Sequence, residues 1–144
     1  MSFREWLARF YGGSNKIKMA ELLKSTKLID LPSEHQTNLK ELHRRINIIR
    51  NLYGRPMIVT SGYRTIEDHK RIYVGRDKIP MGSKHLSGQA VDIYDPRKEL
   101  QSWCLGNEAE LERVGLWCEN FLATENWVHF QTVPPKSGRR FFYP

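Results

Sequence analysis

The sequence has few cysteines, no long apolar segment and no apolar leader. Cys104 and Cys118 are the only cysteines in 144 residues, which is typical of a protein kept in a reducing compartment. We interpret both as small buried side chains; a disulfide and a zinc site are the alternatives. No apolar run approaches the ~20 residues that span a bilayer, so membrane insertion is not expected. Residues 1–11 are broken by charges and do not form a secretory signal, so we expect synthesis in the cytosol.

What the chain does contain is enough apolar material for a folded core. Apolar residues make up 40% of it, with four Trp, six Tyr and six Phe, and its length suits one domain over residues 1–144. The formal net charge of +7 favours an acidic partner, either nucleic acid or an anionic polymer of the bacterial wall. The cations are scattered along the chain, so charge alone does not decide between them.

Hydrophobic periodicity predicts an α+β protein. A spacing of three to four residues predicts helices, and alternating or continuous apolar runs predict strands. The predicted helices are 2–11, 16–25, 34–53, 65–74, 95–105 and 108–114, and the predicted strands are 57–60, 89–94, 115–119 and 127–132. The tail, 134–144, is predicted to be irregular and to pack back through its aromatic side chains. We therefore expect helices packed around a small antiparallel sheet.

Three side chains have the composition of a metal site. Asp92 interrupts an apolar strand, where an unpaired carboxylate would be costly, and His85 precedes it on a loop that contains Gly88. His129 lies on a later strand and can complete the set. Two imidazoles and one carboxylate, with one position left for water, are typical of catalytic zinc. The alternative is a salt-bridged Asp92, an exposed His85 and a hydrogen-bonded strand histidine at position 129.

The order of these residues is more specific than their number. The pattern S-x-H-x-x-G-x-A-x-D runs from Ser83 to Asp92, W-x-H follows at residues 127–129, and S-G-Y-R ends at Arg64. This arrangement, over roughly residues 57–132, resembles the M15 group of zinc peptidases, which includes D-Ala-D-Ala carboxypeptidases and phage endolysins and shares its fold with the hedgehog signalling domain. The resemblance implies one Zn²⁺ held by His85, Asp92 and His129. Residues 1–56 carry no recognisable motif and are expected to form a helical part of the same domain.

The resemblance also implies roles for two further residues. Arg64 would bind substrate and stabilise a developing oxyanion, for which a guanidinium is well suited. Ser83 would hydrogen-bond the peptide substrate. The alternatives are that Arg64 pairs with Glu67 or Asp68 and that the Ser83 hydroxyl only shapes its loop.

The general base is the residue that the motif does not supply. A zinc hydrolase needs a carboxylate to carry the proton from water to the leaving amine. Many M15 peptidases have Glu three residues before the last histidine, but Asn126 occupies that position here. Glu119, at the end of one predicted strand, is the preferred candidate, as in hedgehog, where an acid closes one strand and the histidine lies on the next. A one-residue slip in strand pairing would turn it to the other face, and Glu125, in the following loop, is the second candidate.

The resemblance implies a zinc metallopeptidase that hydrolyses amide bonds in peptidoglycan stem peptides, and we expect it to be a monomer. It would act as a carboxypeptidase or endopeptidase, as a phage or prophage endolysin that stays cytoplasmic until a holin-type route releases it to the wall. The alternative is a non-catalytic, zinc-containing wall-binding or virion module of the same fold, which an absent base would favour. A basic nucleic-acid-binding domain is not expected, because it would require Lys and Arg clustered on one face.

Overall fold

Five strands form one sheet in the part of the chain that the structure describes. The computed structural model describes residues 16–144, so the helix predicted over residues 2–11 lies outside the described residues. The strands are β1 (Val59–Ser61), β2 (Ala90–Tyr94), β3 (Trp117–Glu119), β4 (Trp127–Gln131) and β5 (Phe141–Phe142). Their order across the sheet is β1-β2-β4-β3-β5. All neighbours are antiparallel except β3 and β5, which are parallel. The α+β prediction is confirmed, but the tail predicted to be irregular contributes an edge strand.

Helices pack around this sheet. They are α1 (Met19–Leu23), α2 (Ser33–Tyr53), α3 (Ile66–Ile72), α4 (Glu99–Gly106) and α5 (Glu108–Val114), with 3₁₀ turns at Leu28–Asp30 and Lys84–Ser87. Within residues 16–144, none of these helices combines the length and apolar composition that crossing a bilayer requires.

The core is one cluster of buried side chains to which α2 and the sheet both contribute. Leu39, Leu42, Ile46 and Ile49 recur at helical spacing and are fully buried, so they form the apolar stripe of α2. Burial of each such side chain contributes about 1.5–3 kcal/mol of transfer free energy. The helix ends at Gly54, whose φ of +74° is the left-handed conformation that favours glycine at a helix end.

The two cysteines belong to this core. Cys104 on α4 and Cys118 on β3 are both buried and free of a disulfide, which confirms the expectation of buried small side chains. Burial raises the pKa of the Cys118 thiol well above its ordinary value, and the hydrogen bond with Cys104 raises it further. The Cys118 thiol is therefore neutral at physiological pH.

One helix begins later than its sequence predicts. Proline at position 96 predicted a helix from Asp95, but α4 begins at Glu99. The buried Asp95 carboxylate instead accepts hydrogen bonds from the backbone N–H groups of Leu100, at 3.0 Å, and Gln101, at 2.9 Å. Asp95 therefore caps the helix from four residues upstream of it, a geometry that local spacing does not reveal.

A glycine after β1 allows α1 to approach the segment that carries Arg64. The N–H of Tyr63 donates to the backbone oxygen of Leu22 at 2.8 Å, and a Cβ on Gly62 would overlap that carbonyl group. We expect Gly62→Ala to lower the free energy of unfolding by about 1–3 kcal/mol, because backbone would have to move. Gly82→Ala is the matched control, since a Cβ there has nothing within 4 Å. Urea unfolding of both variants checks this, and equal stabilities would contradict it.

Candidate metal centre

The predicted ligands His85, Asp92 and His129 lie together in the structure. Asp92 on β2 is paired directly with His129 on β4, and His85 lies in the 3₁₀ turn before β2. One ligand atom from each lies within 4.8 Å of the others. The three residues are only 3%, 9% and 6% exposed, in chain order. A buried carboxylate between two imidazoles is the donor set expected of a zinc site.

The local fold around His85 explains the small residues of the motif. The Ser83 hydroxyl oxygen accepts the backbone N–H of His85 at 3.4 Å, which starts the turn. Gly88 ends the turn with a φ of +76°, and a Cβ there would lie 2.8 Å from Cγ of Leu39. Only glycine therefore satisfies both the backbone conformation and the close packing against α2. The turn then holds the His85 ring against β2.

Hydrogen bonding selects the nitrogen that His85 presents to the centre. Its Nδ1 donates to the backbone oxygen of Gly62 at 2.8 Å. Because a carbonyl oxygen only accepts, Nδ1 carries the proton and Nε2 keeps its lone pair. Nε2 lies 3.3 Å from Oδ2 of Asp92. His85 therefore presents an unprotonated nitrogen beside the carboxylate.

His129 is oriented from the opposite side. Its Nδ1 lies 2.8 Å from Oδ1 of Asp92, and its Nε2 lies 2.9 Å from Oε1 of Gln131. Both nitrogens face acceptors, so a ring protonated on both is fully satisfied. A cation that takes the place of the Nδ1 proton would meet the same carboxylate. The arrangement thus fits a metal ion that would compete with a proton for Nδ1 of His129.

The pKa directions agree with this geometry. Burial alone would raise the pKa of Asp92, but hydrogen bonds from His129 and His85 hold it well below its usual range. Burial lowers the pKa of His85, and its contact with Asp92 only partly offsets this. Burial would also lower the pKa of His129, but the hydrogen bond to Asp92 outweighs it and the pKa is raised. At neutral pH the centre therefore holds an ionised carboxylate and a neutral His85.

Arg64 lies at the edge of the cluster. Its Nη2 is 3.7 Å from Oδ2 of Asp92, and its Nε donates to the Ser61 hydroxyl at 3.0 Å. The alternative partner Asp68 instead pairs with Arg71 at 3.2 Å. The structure therefore brings Arg64 to the edge of the three predicted ligands.

His69 contacts Arg64 and was not identified as a functional residue from the sequence. It is fully buried, and its Nε2 donates to the backbone oxygen of Pro80 at 2.9 Å. Its Nδ1 is therefore the acceptor that faces Nη1 of Arg64 at 3.4 Å. The position of His69 shortly after S-G-Y-R does not indicate this role, because the contact depends on the position of the loop that contains Pro80.

The two candidate bases are placed differently. The β3–β4 register pairs Cys118 with Phe130, which puts Glu119 on the His129 face. Oε1 of Glu119 lies 3.9 Å from Nε2 of His129, and 23% of the Glu119 side chain is exposed. Glu125 is exposed in the loop before β4, where its backbone oxygen accepts a hydrogen bond from Nζ of Lys98 at 3.0 Å. Of the two carboxylates, Glu119 is the one that contacts a predicted ligand.

Ser83 is half-buried beside the cluster. Its hydroxyl oxygen accepts from the backbone of His85, so it shapes the turn as the alternative interpretation held. Accepting that bond leaves its own hydrogen to donate to another group.

Comparison with known proteins gives one match. A family model described as Peptidase M15 matches residues 15–131. No curated protein and no solved structure matches the chain. The matched region contains the three clustered residues, Arg64, Ser83 and both glutamates, and it ends before β5.

Proposed function

The chain belongs to the Peptidase M15 family, whose members are zinc-dependent metallopeptidases, and on this premise we propose that it hydrolyses amide bonds in the stem peptides of bacterial peptidoglycan. The observation that carries the proposal is the buried convergence of His85, Asp92 and His129, whose ligand atoms lie within 4.8 Å of one another. Arg64 and Glu119 lie beside this cluster, so charged groups of both signs border it.

The donor set fits Zn²⁺. Two imidazole nitrogens and one carboxylate oxygen match its preference for nitrogen and oxygen ligands and leave room for water and substrate. When bound, zinc supplies a Lewis acid that polarises the amide carbonyl and activates water for attack. His85, Asp92 and His129 would hold the ion, and the negative charge of Asp92 would partly neutralise it.

The remaining residues supply positioning and proton transfer. The guanidinium of Arg64, fixed by Ser61 and His69, stabilises the negative charge that develops on the carbonyl oxygen. The Ser83 hydroxyl donates to the peptide backbone of the substrate. Glu119 accepts a proton from water and returns it to the leaving amine.

The wider setting is a phage or prophage endolysin. We propose one catalytic domain over residues 1–144 that acts as a monomer, as a carboxypeptidase or an endopeptidase, and reaches the wall by a holin-type route. The net charge of +7 favours binding to an anionic wall polymer.

A second candidate is a non-catalytic wall-binding or virion module that keeps its zinc. Two observations favour it. Asn126 stands where many M15 peptidases carry glutamate, and Glu119 approaches Nε2 of His129, the nitrogen on the far side of the ring from Asp92. A carboxylate there could orient the imidazole without serving as a base.

Digestion of purified peptidoglycan, with mass spectrometry of the fragments, tests the proposal. The wild-type protein is expected to release fragments, EDTA to stop their release, and added zinc to restore it. His129→Ala is the matched inactive control. The fragment masses would identify the bond that is cut. Absence of fragments from a protein that holds about one zinc ion per chain would favour the binding module instead.

A further inference from the structure

Gln131 contacts His129 and has no role in the proposed chemistry. It is 6% exposed and lies two residues after His129 on β4, so both side chains point to the same face of the sheet. Its Oε1 lies 2.9 Å from Nε2 of His129. Its amide nitrogen donates to the backbone oxygen of Val133 at 2.7 Å. The amide therefore connects a ligand histidine to the chain beyond the strand.

The Val133 contact fixes which end of the amide faces His129. A backbone carbonyl only accepts hydrogen bonds, so the NH₂ group of Gln131 must face Val133 and its oxygen must face His129. An amide oxygen also only accepts, so Nε2 of His129 must carry a hydrogen. The lone pair of a neutral His129 is then left on Nδ1, the atom 2.8 Å from Asp92.

We infer that Gln131 is a positioning residue that commits His129 to binding zinc through Nδ1. His85 is committed to Nε2 by the backbone oxygen of Gly62, but a backbone acceptor cannot be removed by mutation. Gln131 plays the same part for His129, but with a side-chain acceptor. A substitution at residue 131 can therefore change which nitrogen of His129 is free to bind zinc. The inference rests on the proposed zinc site, and it requires no hydrolysis.

Zinc affinity, measured by competition with a chelator, tests this role. Gln131→Leu keeps the size of the side chain but removes the acceptor, and we expect zinc to bind about 10–100-fold more weakly. Gln131→Glu keeps an acceptor while losing the Val133 donor, and we expect it to bind within about threefold of wild type. Gln36→Leu is the matched control, because the Gln36 amide donates to Leu31 at the start of α2, away from the centre.

A second measurement separates orientation of the ring from general loss of structure. In zinc-loaded, ¹⁵N-labelled protein, the Nε2–H of His129 should give a slowly exchanging signal in wild type and Gln131→Glu but not in Gln131→Leu. If Gln131→Leu does not fold by circular dichroism, Gln131→Met replaces it. Unchanged zinc affinity and an unchanged Nε2–H signal in the acceptor-free variant overturn the inference, as does a wild-type protein that binds no zinc. Acceptor-dependent zinc binding without peptidoglycan cleavage would support the inference while contradicting the proposed function.

Discussion

Asp92→Asn is expected to abolish stoichiometric zinc binding and, with it, peptidoglycan hydrolysis. Asp92 is the only anionic member of the described cluster, and both histidines contact its carboxylate. The substitution keeps size and shape but replaces a charged oxygen ligand with a neutral amide. Removing a residue that hydrogen-bonds to a metal ligand typically weakens metal binding by about 10–100-fold. Removing a ligand itself should cost more, so we expect zinc affinity to fall by more than about 100-fold. Metal analysis after dialysis against a weak chelator measures it.

Two other Asp→Asn variants control for charge and for folding. Asp77 is exposed on the loop after α3, so its variant should keep wild-type zinc content. Asp95 is buried and caps α4, so its variant should lose stability without losing the metal. Retention of a full equivalent of zinc by Asp92→Asn would exclude Asp92 as a ligand.

The same variant should change the acid sensitivity of the metal-free protein. The folded-state pKa of Asp92 is depressed, so its contribution to stability is present above its unfolded pKa of about 3.9 and is lost as the pH falls below it. Near pH 6.5 the histidines act in opposite directions: the His85 contribution is lost as pH falls and the His129 contribution as pH rises. Asp92→Asn removes that carboxylate, so from about pH 5 to pH 3 the unfolding free energy should fall less in this variant than in the wild-type protein.

The clustering of His85, Asp92 and His129 could be predicted from sequence because each residue leaves a local trace. A carboxylate inside an apolar strand is unusual in itself, and Ser83 and Gly88, on either side of His85, have backbone reasons to be there. Gly88 needs its left-handed conformation and its contact with Leu39. The short motif of residues 83–92 thus contains two of the candidate ligands as well as the residues that shape their backbone, so it can be recognised in a single sequence.

The supporting residues left a weaker trace or none. Gln131 could have been found, because alternation along a strand puts residue 131 on the face of His129. His69 could not, because its role depends on where Pro80 returns. The parallel pairing of β5 with β3 is likewise a long-range contact that the irregular composition of the tail conceals. The sequence does not reveal these contacts, because they join separate segments of the chain that follow no common residue pattern.

The position of Glu119 was open in the sequence because either strand register was possible. The observed register puts it on the His129 face, yet its oxygen lies 3.9 Å from Nε2, the nitrogen that Gln131 also accepts from. Glu119 can therefore act as a base for water or as a second acceptor for the ring. The two roles affect different quantities, since a base changes turnover and an acceptor changes zinc affinity.

Glu119→Gln is accordingly expected to lower the rate of peptidoglycan hydrolysis by about 10²–10⁴-fold while zinc affinity stays at the wild-type value. Glutamine keeps the shape of the side chain but cannot take up a proton at neutral pH, and proton transfer by a positioned group contributes about that factor. Glu125→Gln is the matched control and should remain near wild type, because Glu125 is exposed in the loop. Rates of fragment release, measured on zinc-loaded proteins beside chelator titrations, separate the outcomes. If Glu119→Gln loses zinc affinity but keeps its turnover at saturating zinc, Glu119 orients the His129 ring and is not the base. If only Glu125→Gln shows a large loss of hydrolysis rate, Glu125 is the base.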